Sequence, residues 1–250
     1  MLKGQIGSRV GFMHSRTSFV PSATLLSHWR PSSDDDGNDT DTITDLVGGN
    51  HAILDAAYDD AAAWQADALR GGVRRVDCDG VNRIQANTDV SNLVGLYEDS
   101  FTTTIWLRAP SDFSTNDGVM WGHRWTDNGW RIWGKNVSSK LRMTSFWLKD
   151  GTNTFSTVVG LDMADLETWV HLAIIWNLRQ EKVDIYVNGT LWDTQDITGV
   201  LPFVASGVPT WGRYSHNTNS PSKVGWDSAR IYRGELGVKQ IVELADYRYE

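Results

Sequence analysis

Residues 169–196 read WVHLAIIWNLRQEKVDIYVNGTLWDTQD. Two short β-rich runs, WVHLAIIW and KVDIYV, are followed by a third, TLWD, and only Asn188 and Gly189 separate the last two. Asn-Gly is the preferred pair where both turn residues take positive φ, so the stretch predicts an antiparallel hairpin with a further strand before it.

The same grammar continues outward. Upstream lie VRRVDCDG from Val73, FTTTIWLRA from Phe101, GVMWGHRW from Gly118, GWRIWGK from Gly129, KLRMTSFWL from Lys140 and TFSTVVGL from Thr154. Downstream lie VPTWGRY from Val208 and KVGWDSARIY from Lys223. Runs of strand length parted by turn residues indicate a sandwich or barrel of antiparallel strands. They do not alternate with long helices, which excludes a Rossmann or TIM-type sheet. Asn128–Gly129 predicts a second hairpin, between GVMWGHRW and WRIWGK. Two stretches read as helical: AAYDDAAAWQADA at 56–68, rich in helix formers, and GELGVKQIVELADYRY, where Leu236, Ile241, Leu244 and Ala245 fall near helical spacing.

Composition sets limits on function. A chain of 250 residues, 40% hydrophobic, can bury one sizeable core. Its formal charge of -8 offers no general source of phosphate neutralisation, so nucleic acid is not an expected partner. Cys78 is the only cysteine, which rules out an internal disulfide. No run reaches the roughly 18 apolar residues of a membrane span, so membrane insertion is not expected. The opening MLKGQIGSRVGFMHSR lacks the apolar core of a secretion leader, and the expectation is synthesis and retention in a cytoplasm. Thirteen tryptophans are a large excess, and core packing accounts for most of them.

Residues 1–24 read as an extended basic arm ahead of a domain at 25–250, with a disordered terminus as the competing reading. Lys3, Arg9 and Arg16 have no Asp or Glu among them, and Phe12 and Phe19 are apolar residues for which a purely solvated tail has little use. An acidic cluster follows from Asp34 to Asp45. Setting Gly37 on the glycine of an EF-hand loop puts Ser32, Asp34 and Asp36 at ligand positions, but Ile43 falls where a bidentate Glu is needed. A solvated loop is the better reading, with calcium at Asp34 and Asp36 as its alternative.

Taken in order, these blocks resemble the concanavalin A-like, laminin-G-like jelly-roll superfamily. Asp45 with Gly49-Asn50-His51 is similar to its D-x-x-G-N-x-H loop, Val76 to Asn82 to its F-D-G-x-x-D segment, and Phe101 to Trp106 to its F-T-x-x-x-W strand. Trp169-Val170-His171-Leu172-Ala173 with Tyr186-Val187-Asn188-Gly189 resembles the paired W-x-H-x-A and Y-x-N-G hairpin. Trp226 to Tyr232, then Leu236 and Ile241, is similar to the closing D-x-x-R-I-Y element. The resemblance implies an all-β, two-sheet antiparallel jelly-roll sandwich over about 25–250, with a short C-terminal helix. It also implies that Asp227 occupies a position used in some members as a calcium ligand, while Asn82 replaces an acidic residue. A capping aspartate is the plainer role for Asp227.

The chain offers little for catalysis. A retaining glycosidase needs two carboxylates about 5 Å apart on one strand face, and the E-x-D-x-x-E pattern that supplies them is absent. No G-x-S-x-G occurs, and His171 beside Trp169 reads as structural. For a ligand, the aromatic cluster of Trp121, Trp125, Trp130, Trp133 and Trp147 stands out, with His123 and Arg131 beside it. Alternation places Trp130 and Trp133 on opposite faces. Trp121, His123, Trp125, Trp130 and Arg131 form the expected carbohydrate site, and burial between the sheets is the competing expectation for the same rings. Two functions follow. The first is a non-enzymatic virion structural protein of a bacteriophage, capsid-decorating or tail-associated, made in the host cytoplasm and joined to other virion proteins or to copies of itself in an oligomer or lattice through the arm. The second is a module that binds surface glycan or a host receptor.

Overall fold

The computed structural model describes residues 23–31, 42–54, 63–67, 73–81, 84–86, 100–116, 118–124, 128–150, 152–200, 208–212 and 222–246. Among these, two antiparallel sheets face each other. The first runs in spatial order β14 (Thr190–Asp196), β13 (Lys182–Val187), β12 (Trp169–Asn177), β7 (Phe101–Arg108), β16 (Gly225–Arg233), β5 (Val73–Asp77) and β4 (Trp64–Asp67), with β1 (Thr24–Trp29) also paired to β16. The second runs β11 (Thr154–Asp165), β10 (Lys140–Asp150), β9 (Asn128–Val137), β8 (Gly118–Arg124), β15 (Pro209–Trp211), β6 (Ile84–Ala86), β3 (Ala52–Leu54) and β2 (Thr42–Ile43). Strands distant in sequence lie side by side, which is the jelly-roll arrangement expected from the sequence.

β12 explains why the deciding stretch is so apolar: all nine of its residues are buried. Val170, Leu172, Ile174 and Trp176 point between the sheets. Ala173 and Ile175 point outward, where they pack with Tyr186, Tyr232, Leu236 and Ile241 under a C-terminal helix, α1 (Val238–Asp246). A strand covered on both faces needs side chains without charge at both parities. The turn beyond β13 also matches expectation, since Asn188 and Gly189 take φ of 47° and 80°.

Three local expectations are corrected. Within 56–68, residues 64–67 are strand β4, not helix; Trp64 pairs with Val76 and is 4% exposed, so tertiary burial overrides helix propensity. Asn128 and Gly129 do not form the second turn. They begin β9, with Asn128 opposite Asp150 and Gly129 opposite Arg124, so the hairpin exists but its connection lies at 125–127, outside the described residues. Asp227 is not a surface cap: it is buried within β16 at a register shift. Among the described residues no group of three potential metal-ligating side chains occurs.

The core is a chain of aromatic rings drawn from both sheets. Trp226 stacks on Trp211 at 4.6 Å, Trp211 lies parallel to Trp121 at 6.3 Å, Trp121 meets Trp130 edge-on at 4.9 Å, and Trp130 contacts Trp176 at 5.8 Å. Phe101 stacks on Trp176 at 5.4 Å and Phe146 meets it edge-on. The indole N–H groups of Trp121, Trp211 and Trp226 are buried without an acceptor, a cost that ring packing offsets.

One loop is fixed by a carboxylate. Asp45 accepts hydrogen bonds from the backbone N–H groups of His28, Val47 and Asn50 at 2.8, 3.1 and 3.0 Å, and the Asn50 side chain donates to Ser27 Oγ. Burial opposes its ionisation, but these donors outweigh burial and hold the carboxyl below its usual range. The D-x-x-G-N-x-H block thus ties β1 to the loop after β2.

Trp176→Ala is expected to cost about 3–5 kcal/mol, read as a fall in the urea midpoint, because it empties the junction of three rings. A pH effect follows from His171, which is fully buried and whose pKa burial, then Arg230, pushes down from 6.5 to about 3. Below pH 6.5 the unfolded chain takes up the proton that the native imidazole refuses, so stability falls as pH drops. Between pH 6.5 and the onset of carboxylate titration near about pH 5, the midpoint should decline in wild type and decline less in His171→Phe.

Candidate binding face

The outward face of the second sheet is where side chains with ligand-binding chemistry meet solvent. Trp130 and Ile132 of β9 are in the core, so Arg131 and Trp133 point away from it and are half-buried. On β10, Trp147 stands directly opposite Arg131 and Ser145 opposite Trp133. The result is a ladder in which the Arg131 guanidinium carbon lies 4.6 Å from the Trp133 ring centroid and 4.4 Å from that of Trp147. Both distances are within the range of attractive cation–π contact. A guanidinium held on two ring faces loses less freedom when it donates hydrogen bonds to a ligand.

The strands on either side leave the ladder accessible. Gly122 of β8 lies opposite Arg131, and a Cβ there would come within 2.8 Å of the Trp130 carbonyl oxygen and 2.9 Å of Arg131 Cβ. A glycine is therefore required for this approach, and it removes the side chain that would otherwise flank the guanidinium. Ser156 of β11, opposite Trp147, is exposed. Lys149, Lys135 and Arg142 share the face, Arg142 being paired with Asp162 of β11.

Of the five residues expected to form a carbohydrate site, Arg131 alone is seen on this face. Trp121, Trp130 and His123 point inward and are at most 2% exposed, so they present no ring to a ligand. Trp125 lies outside the described residues. Trp133 and Trp147 take their place beside Arg131. Alternation separated Trp130 from Trp133, but which of the two faces solvent depended on where the turn fell, and the pairing of Trp147 with Arg131 depends on a register shift between Met143 and Ser145. The arm residues Lys3, Arg9, Phe12, Arg16 and Phe19, and the acidic residues Asp34 and Asp36, also lie outside the described residues.

Residues 79–242 match the family model described as the concanavalin A-like lectin/glucanases superfamily. Among solved structures, the receptor-binding domain of a botulinum neurotoxin C/D mosaic serotype superposes with a TM-score of 0.66 at 13% identity, over 90% of this chain and 51% of that one. The binding domain of Paraclostridial Mosquitocidal Protein 1 gives 0.65 at 16% identity, over 89% and 52%. A botulinum neurotoxin DC binding domain, solved in complex with rat synaptotagmin II, gives 0.63 at 16%, over 89% and 51%. The chain spans about half the length of these structures, and identities this low speak for the fold alone. No curated protein matches. With the two-sheet topology, the hairpin at Asn188–Gly189 and a family match over most of its length, the chain belongs to the concanavalin A-like lectin/glucanases superfamily.

Proposed function

We propose that this domain is a non-enzymatic binding module that recognises a surface glycan, with Arg131, Trp133 and Trp147 as its contact residues. The observation that carries the reading is the guanidinium held between two partly exposed indoles. Indole faces stack on the apolar faces of sugar rings, and a positioned guanidinium donates hydrogen bonds to ring hydroxyls or to an acidic substituent. The fold by itself does not select among functions, so the proposal rests on the face and not on the family. Its kinship in fold with domains described as receptor-binding is in keeping with a partner at a cell surface. Absence of a paired-carboxylate motif supports a module without hydrolytic activity.

The bacteriophage virion reading, with assembly through the arm, rests on residues 1–24, and none of its named contacts is among the described residues. No helix among the described residues is long and apolar enough to cross a membrane.

A glycan array probed with the full chain should give specific binding. Trp147→Ala and Arg131→Ala should each weaken it by about tenfold, the size expected when a desolvated cation–π and stacking contact is lost. Thermal melts should remain close to wild type, since both side chains are only half-buried. Absence of binding across a broad array, or binding indifferent to both substitutions, would sink the proposal.

A further inference from the structure

The outer face of the first sheet carries an apolar strip at the seam between its C-terminal helix and its edge strand. Val238 and Val242 stand one turn apart on α1, beside the buried Ile241 and Ala245, and are themselves 58% and 40% exposed. Across the seam, Leu191 of β14 is opposite Tyr186 of β13, whose ring packs under α1; Leu191 therefore lies on the same outer face, and it is 49% exposed. The Asn188–Gly189 turn draws the two elements together, since a Cβ on Gly189 would lie 3.3 Å from both Val242 Cα and Ala245 Cβ. Single exposed apolar side chains are ordinary, but three converging on one seam mark a contact surface.

The same edge is acidic. β13 and β14 carry Asp184, Asp193 and Asp196 against the single Lys182. These carboxylates accept hydrogen bonds from Thr194, Gln195 and Thr198, and among the described residues none is ion-paired. Asp196, Thr194 and Lys182 also line a pocket of about 300 Å³, to which Glu181 adds a further carboxylate. An extended segment of alternating cationic and apolar residues suits such a surface, with its apolar side chains on the strip and a cation at the pocket.

The chain contains that segment. Residues 1–22 include Lys3, Arg9 and Arg16, Phe12, Met13, Phe19 and Val20, and no Asp or Glu. They join the domain close to the seam: Thr24 pairs with Arg233, and Ala23 Cα lies 3.5 Å from where a Cβ on Gly234 would stand, just ahead of α1. The acidic pocket is at this same end of the sheet. Asn177 donates to Glu235, the residue after Gly234, and pairs with Lys182, which in turn pairs with Asp196. Leu191 is farther along the edge, about 16 Å from Asp196 by strand rise. β14 lies four strands from β16, about 19 Å across the sheet, and the extended chain from Ala23 back to Arg16 covers about 23 Å. Leading away from Ala23, the arm presents Arg16 first and Phe12 about 13 Å beyond it. Pocket and strip follow in the same order.

We propose that the seam between α1 and β14 is the docking site of residues 1–22 of the same chain, with Arg16 at the Asp196 pocket and Phe12 on Leu191 and Val242. Attachment at Ala23 holds the segment at a high effective concentration, so contacts that would be weak between separate molecules suffice. The site is on the opposite sheet from Arg131 and does not depend on the glycan reading.

The test is trypsin cleavage of the full chain after Arg9 and Arg16, followed by intact mass. The Leu191→Ser, Val242→Ser double variant should be cut about tenfold faster at both sites, as expected when apolar contact at two half-exposed positions is lost. Asp196→Asn should speed cleavage after Arg16, and Leu46→Ser, at an equally exposed leucine on another loop, should leave both rates unchanged. Thermal melts of these variants should stay close to wild type. In the full chain, Phe12→Ser should shift the methyl resonances of Leu191 and Val242, a readout that alters no residue of the domain. Cleavage of the double variant at the wild-type rate, or methyl resonances indifferent to Phe12→Ser, overturns the proposal. Cleavage that accelerates on dilution also overturns it, because the arm would then be held by a second copy.

Discussion

Stacked indoles hold the two sheets in one relation to each other. Trp226 and Trp176 come from one sheet, Trp211, Trp121 and Trp130 from the other, and each ring is seated against a ring from another strand. Aromatic packing has preferred geometry as well as area. Because side chains alternate along a strand, fixing one ring inside fixes the parity of every neighbour on that strand. Burial of Trp130 therefore decides that Arg131 and Trp133 face out, and the register of β9 with β10 then delivers Trp147 to the guanidinium. The candidate binding face is a consequence of the core.

Much of the architecture could be read from residues alone, and the reasons are local. The run from Trp169 to Trp176 had strand length and composition, Asn188–Gly189 carried the φ requirement of its turn, and Ile241 and Ala245 repeated at helical spacing. What was not legible depended on long-range contacts. Trp64 to Asp67 is surrounded by helix formers but becomes a strand because Val76 offers a partner edge. Asn128–Gly129 has the composition of a turn, yet Asp150 and Arg124 claim both residues for the sheet. That slip matters for function, since it hid which tryptophans turn outward. Trp121, His123 and Trp130 have the chemistry of a sugar site and the placement of a core.

The two outer faces differ in kind. On the second sheet the ladder is partly open and bounded by a glycine, an arrangement suited to a flat ligand lying across strands. On the first sheet the outward side chains are largely covered, with α1 over Tyr186 and Tyr232. Asp45, with its backbone donors, anchors β1 and so sets the position of His28.

The edge strands add a last point. β14 meets β13 with a register shift that leaves Trp192 as an extra residue, and it carries Asp193 and Asp196. β11, at the same side of the other sheet, has two shifts against β10, and Thr157 of β11 hydrogen-bonds to Gln195 of β14 at 3.1 Å. Bulged, charged edges resist extension by strand addition and so protect a β-rich protein from aggregating through its sheets. Lateral growth of either sheet is thereby disfavoured at the rim on this side.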